Sequence, residues 1–436
     1  MIFRNATRKL RQARASRLSL ALAMACGMTL TVMAIEAPAH AQKRNGKDQE
    51  AQATYSDAFR TAYAPAAELA NANPRDGAAM RALIPAITAS ASTPDDRYAA
   101  GQFILATGTT LSEPALQLQG LSTMLDSGKV SAADAGRLNY AAGQLAYQTQ
   151  DYGRARTYLE AAMQAGYTEN DPRLLLVETH MQQNDAAGAL NYLDRIVEEQ
   201  IAAGQVPTET YLQRGLSAAY NAQLNEQALR YANLSARYYP DAKSWGNVIG
   251  LVRTGADLTD EQTLDLLRLQ RKTESFRNGQ EYLAYIGLAD PRRLPNEVAA
   301  VIEEGYASGL LARDNTFASD ALSTATSRQG QVRADLAGLE RDANASGAQL
   351  ATVMAAGNVF LDAGQPAKAE QFYRKALTLP GADTATVLTR LGIAQVNQGK
   401  HVEAAATFNQ VQGARTAVAR LWATYAEQQG GGATGG

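Results

Sequence analysis

Only two imidazoles, His180 and His401, stand beyond residue 41 of this 436-residue chain, and Cys26 is its only thiol. A zinc or hydrolytic site built on a helix needs a second histidine or a carboxylate at i+3 or i+4, and neither histidine has one. Glu403, two residues after His401, faces another side of a helix. The adjacent carboxylates Glu198 and Glu199, and Glu303 and Glu304, diverge by about 100° around a helix, so neither pair can flank one substrate bond. Nucleophile-elbow and HExxH patterns are absent. Gly430, Gly432 and Gly435 fit GxGxxG, but that pattern cradles phosphate only where it joins a strand to a helix. Gly128-Lys129 is followed by Val130, where a P-loop needs Ser or Thr. No catalytic, metal-binding or cofactor-binding residue is therefore assigned, and no cofactor is expected. An enzyme built on the segments 55–129 and 316–345 is the distant alternative.

What the sequence offers instead is a repeated way of packing helices. Gly143 and Ala155, Gly357 and Ala369, and Gly392 and Ala404 are each twelve residues apart. A residue without a side chain opposite one with a single carbon lets two antiparallel helices approach closely. The best upstream copy runs from about 135 to 166, with Gly143 and Tyr147, the turn Gln150-Asp151-Tyr152, then Ala155, Leu159 and Ala162. A second, 171–200, has Val177 in the glycine position and keeps Ala189, Leu193 and Ile196. A third has Gly215, Tyr220 and Ala228; its gap is thirteen, which predicts one extra residue in the turn. Two clear copies follow late in the chain, with Gly357, Phe360, Gly364, Ala369 and Tyr373, then Leu388, Gly392, Gly399, Ala404 and Phe408.

This order of small, aromatic, turn and small residues, with a period of about 34, resembles the tetratricopeptide repeat family. The resemblance covers roughly half the chain after residue 41 and implies an all-α fold: a right-handed α-solenoid of antiparallel helix hairpins. It also implies a concave groove lined by the first helix of each hairpin. Carried over by register, the groove positions are Tyr140, Gln144, Tyr147 and Gln148; Tyr220 and Asn221; Met354, Asn358, Leu361 and Asp362; and Thr389, Ile393, Val396 and Asn397. The family's clamp for a C-terminal carboxylate wants cations where Met354 and Thr389 stand, which argues against recognition of an acidic C-terminus.

The remaining segments frame these blocks. Residues 1–41 read as a signal peptide: six basic residues between Arg4 and Arg17, an uncharged run from Leu18 to Ile35, then Ala39-His40-Ala41 for cleavage. An uncleaved membrane anchor is the alternative, because the run approaches spanning length. Residues 42–53 read as a flexible lead, 54–130 as degenerate hairpins that lack the repeat glycine and cap the array, and 131–312 as the first repeat block. In that block Gly287 and Ala299 restore the twelve-residue spacing, Thr259 with Gln262 marks a capping box, and Pro295 sits at a helix start. Residues 313–346 read as an irregular helical insert, 347–429 as the second block with a closing helix from Thr416, and 430–436 as a disordered tail.

Charge narrows the partners. Six of the 41 Lys and Arg and one of the 43 Asp and Glu lie in the first 41 residues, which leaves a net charge of about −7 after cleavage. Nucleic acid is not an expected partner, since phosphate contacts need clustered cations. After cleavage the chain has no cysteine and tolerates an oxidising compartment. The expectation is a non-enzymatic periplasmic scaffold that binds a protein or peptide segment on its concave face, with no membrane contact once the signal is removed. An accessory role in an envelope assembly, export or polysaccharide-secretion machine is the runner-up.

Overall fold

The helices begin where short polar side chains can hold free backbone N–H groups. A computed structural model describes residues 53–431; the expected signal peptide, nearly all of the lead and residues 432–436 of the tail lie outside them. Ser56, Asp76, Thr93, Ser131, Asp151 and Asp171 each cap a helix by accepting a bond from an amide of its first turn. The capping box predicted at Thr259 and Gln262 forms with both reciprocal bonds. Pro295 opens its helix, as expected, where a missing N–H costs least.

Contacts divide the chain into two compact units, Met1–Gln183 and Asn184–Gly436. The described part of the first holds α1 (Asp57–Asn71), α2 (Gly77–Ser90), α3 (Pro94–Thr110), α4 (Pro114–Asp126), α5 (Ala132–Gln148), α6 (Tyr152–Gln164) and α7 (Pro172–Gln182). In the second are α8 (Ala186–Ala202), α9 (Glu209–Asn221), α10 (Asn225–Tyr238), α11 (Ala242–Gly255), α12 (Asp260–Lys272), α13 (Gly279–Ala289) and α14 (Pro295–Ala307). It continues through α15 (Thr316–Asn344), α16 (Leu350–Asp362), α17 (Pro366–Ala376), α18 (Thr384–Val396), α19 (His401–Phe408) and α20 (Thr416–Gln429). No strand occurs among the described residues. The fold is an all-α solenoid of helix hairpins, and the insert expected at 313–346 is a single helix, α15.

The hairpins close on a relation that the twelve-residue spacing does not show. The group that fills the space over each glycine lies sixteen residues on: Leu159 over Gly143, Tyr231 over Gly215, Tyr373 over Gly357 and Phe408 over Gly392. A Cβ on Gly392 would lie 2.5 Å from the Phe408 ring, and one on Gly357 2.6 Å from Tyr373. The small residues at twelve, Ala155, Ala369 and Ala404, are fully buried beside these contacts. Counted to its ring, the Gly215 copy is in register. Its turn, residues 222–224, is as long as 149–151 and 363–365, so the extra residue expected in the turn lies in α9 instead. Gly287 also differs from expectation, because a Cβ there would have room; the tight glycine of that hairpin is Gly305, under Leu311 and Tyr282.

The degenerate hairpins do carry packing glycines, contrary to expectation. In α3 and α4 a Cβ on Gly101 would lie 2.8 Å from the Gly120 carbonyl, and one on Gly108 2.6 Å from the Gln117 amide. Gly101 belongs to Tyr98-Ala99-Ala100-Gly101-Gln102, which α5 repeats letter for letter as Tyr140-Ala141-Ala142-Gly143-Gln144. The two copies are 42 residues apart, and a search at the repeat period passes over them.

Candidate functional site

In the second unit the chain reverses at a short 3-10 turn, Gly413–Arg415, and α20 returns across α18 to reach α10 and α12. This return encloses α18, so that every residue from Thr386 to Val396 is buried. Three positions carried over by register are corrected accordingly. Thr389 and Val396, at 0% and 5% exposure, belong to the packed interior and present no open groove, and Ile393, at 2%, reaches the surface only at the wall of a cleft. Thr389 also spends its hydroxyl on the Ala385 carbonyl, 2.7 Å away.

The neighbouring positions serve the fold as well. Asp362 accepts the backbone N–H groups of Asn296 (3.3 Å) and Glu297 (2.8 Å) and the Asn296 side chain (2.8 Å), which ties the end of α16 to the first turn of α14. Burial outweighs those bonds and raises the Asp362 pKa. Asn358 Oδ1 accepts from the Tyr373 hydroxyl and from Arg390. Met354 packs at the edge of the core. In the first unit Tyr140 stacks on Tyr167, with centroids 4.9 Å apart, and its hydroxyl accepts from Gln144. Tyr147 meets Tyr152 edge-on, and Gln148 is exposed. Tyr220 is 65% exposed and Asn221 is exposed beside it.

Four of the fourteen positions, Leu361, Asp362, Ile393 and Asn397, come together with side chains of α12, α13 and α14 around a cleft of about 980 Å³. At its base Arg268 donates two parallel bonds of 2.7 Å to Glu297 and a third, 2.9 Å, to Asp265. The Tyr285 hydroxyl also donates to Glu297. Burial works against the Glu297 charge, but Arg268 and Tyr285 prevail and hold its pKa below the usual carboxylate range. Asp265 is fully buried and accepts from Arg415 at 2.7 Å, while its backbone carbonyl takes the Trp422 indole N–H at 2.9 Å. Glu261 faces both Arg390 and Arg415 at 3.3 Å. A bidentate guanidinium and carboxylate pair whose other lone pairs are also satisfied is the arrangement that survives desolvation.

Toward the mouth Arg271 chelates Glu304 with bonds of 2.7 and 2.5 Å, and Lys272 follows it on the last turn of α12. Apolar area comes from Phe276, tilted against Tyr282 at 4.4 Å, and from Leu310, Leu361 and Pro366. The cleft thus combines polar groups engaged at the base with apolar surface and side chains open to solvent at the rim. Sequence reasoning missed Arg268, Arg271 and Lys272 because α12 looked like a late-starting partner helix. The alternation of acidic first turn and basic last turn in α12 was the available signal.

The hairpins define an all-α repeat protein. Residues 352–383, which hold most of α16 and all of α17, match the tetratricopeptide repeat. No curated protein sequence matches the chain. Among solved structures, the tetratricopeptide domain of P58(IPK) is 12% identical over 86% of this chain and 99% of its own, with a TM-score of 0.20. The structure of Naa15/Naa10 bound to HypK-THB is 12% identical over 83% of this chain and 65% of that one, with a TM-score of 0.26. At those scores neither superposition places a side chain of this protein. Tetratricopeptide repeats suggest a scaffold for protein interaction.

Proposed function

We propose that this protein is a non-catalytic scaffold that holds a protein or peptide segment, and that the cleft between α12–α14 and α16–α18 receives it. The observation that carries this reading is the convergence of Leu361, from the first helix of one hairpin, and Asn397, which ends the first helix of the next, with Arg271, Lys272 and Phe276 on one cleft. Its volume and mixture of apolar walls with a few polar groups suit side chains of a bound segment. Chemistry finds little purchase there. Glu297 and Glu304 are each paired with an arginine and Asp362 caps α14, so none is free to act as acid or base.

The location we propose is the periplasm, reached through cleavage after Ala41. Its support is the basic, apolar and small-residue order of residues 1–41 and the lack of any cysteine beyond them. N-terminal sequencing of exported protein tests it, with Gln42 as the expected first residue; intact Met1 in a membrane fraction would establish an anchor.

Binding is tested by capturing partners with the full-length chain and with Asn397→Trp, which fills the cleft from an exposed position. The expected result is a partner retained by the native chain and by Val402→Trp, which alters an exposed site away from the cleft, but lost with Asn397→Trp. Equal retention by all three would remove the cleft from the proposal.

A further inference from the structure

The cleft distinguishes between kinds of segment, and this inference rests on the binding role just proposed. Its charges divide into those the fold has used and those it has not. Arg268 is committed to Glu297 and Asp265, Arg271 to Glu304, and Asp362 to the first turn of α14. Lys272 is exposed at the rim and forms no ion pair among the described residues, although Arg271 precedes it. The one carboxylate that acts on it, Glu304, is already held by both arms of Arg271. Two adjacent cations therefore share one anion.

That imbalance shows in the ammonium itself. Partial burial, and then the Arg271 charge, push the Lys272 pKa down, and Glu304 only partly offsets them. An arriving carboxylate would relieve the repulsion. Glu274, the other unpaired charge of the lining, acts on the Tyr425 hydroxyl, outside the cleft. Beside the cations stand the rings of Phe276 and Tyr282, Leu310, and the free amide of Asn397.

We propose that the cleft takes an extended acidic segment bearing apolar side chains, with a carboxylate set against Lys272 beside Arg271 and an apolar group against Phe276 and Leu310. The attraction is local: the chain as a whole is negative, and at physiological salt charges beyond about 8 Å are largely screened. Recognition then depends on the contact at the rim, not on long-range steering.

Fluorescence anisotropy with the full-length chain tests this. The probes are fluorescein-labelled decapeptides that alternate leucine with glutamate, leucine with lysine, and serine with glutamate. The leucine and glutamate peptide should bind tightest and lose affinity with added salt. Lys272→Glu should weaken it about fivefold or more, and Lys272→Arg should retain it. Lys272 makes no described bond within the fold, so both variants should melt like the native chain. Equal binding of the glutamate and lysine peptides, unchanged binding by Lys272→Glu, or binding of none of the three would overturn the assignment. If capture of a partner still depends on Asn397 while these peptides fail, only the charge preference falls and the binding role stands.

Discussion

Arg415 reaches back 150 residues to Asp265, placing Nη1 2.7 Å from Oδ2, and both side chains are buried. This contact closes the second unit around its cleft. It joins the turn before α20 to the middle of α12, and α12 supplies Arg268, Arg271 and Lys272 to the cleft.

Removing Arg415 takes one of two guanidinium partners from the buried Asp265 and leaves Arg268 as the other. Arg415→Leu should therefore destabilise the chain by about 1.5–3 kcal/mol, the cost of a lost charged hydrogen bond in the interior and more than a partly exposed pair such as Arg237 and Glu427 would lose. Urea unfolding measures the difference. The double variant Arg415→Leu/Asp265→Leu should recover a large part of the loss, and a double variant as unstable as the sum of the singles would remove the coupling.

The side chain over each repeat glycine gives a second expectation. Gly392→Ala places a methyl group against Phe408 and should cost about 1–3 kcal/mol through overpacking. Phe408→Leu in the same chain should absorb part of that cost, so the two losses should fall short of additive. Additivity in thermal or urea melts would show that the ring does not set the helix spacing.

The turns supply a third. The residue two places before the next helix is left-handed in copy after copy: Gln150, Gln223, Gly364 and Gly399 have φ of 63°, 60°, 70° and 73°. A residue with a Cβ pays about 1–2 kcal/mol for that conformation, whereas glycine enters it freely. Gln223→Gly should raise the urea midpoint slightly, and Gly399→Ala should lower it, with a stability loss of about 1 kcal/mol. A lower midpoint for Gln223→Gly would contradict this assignment of strain.

Acid provides a fourth. Burial works against the Glu370 charge, but bonds from Lys400, Arg374 and Gln398 hold its pKa down at about 2. A carboxylate lowered in the folded state adds stability that is complete above the ordinary carboxylate range and is lost as pH falls through about 2. Glu370→Gln should therefore be less stable than the native chain at neutral pH, and the gap should narrow steadily below about pH 4.5. A gap independent of pH would assign the loss to packing.

Local features were legible in the sequence because their causes are local. Thr259 and Gln262 formed the expected capping box, Pro295 opened its helix, and Thr416 began the closing helix. The hairpin spacing is legible too, but the alanine at twelve does not explain it, because the space is filled by the side chain at sixteen. What lay beyond reach was the return of α20. Nothing in the register of Thr389, Ile393 or Val396 marks them as enclosed, because the covering helix arrives only after the reversal at Gly413. The pairing of Arg268 with Glu297 was hidden likewise, since it depends on α12 meeting α14 across an irregular connection.

Photo-crosslinking from within the cleft tests the central claim most directly. A photoreactive amino acid is placed at Leu310, 38% exposed on the cleft wall, and separately at Tyr220, 65% exposed and outside it, in the full-length chain expressed in its own cell. Mass spectrometry then maps the joined segments. The account predicts adducts from Leu310 to an acidic, apolar segment of another protein and none from Tyr220. Adducts from Tyr220 with none from Leu310 would contradict it and place binding on the earlier repeats.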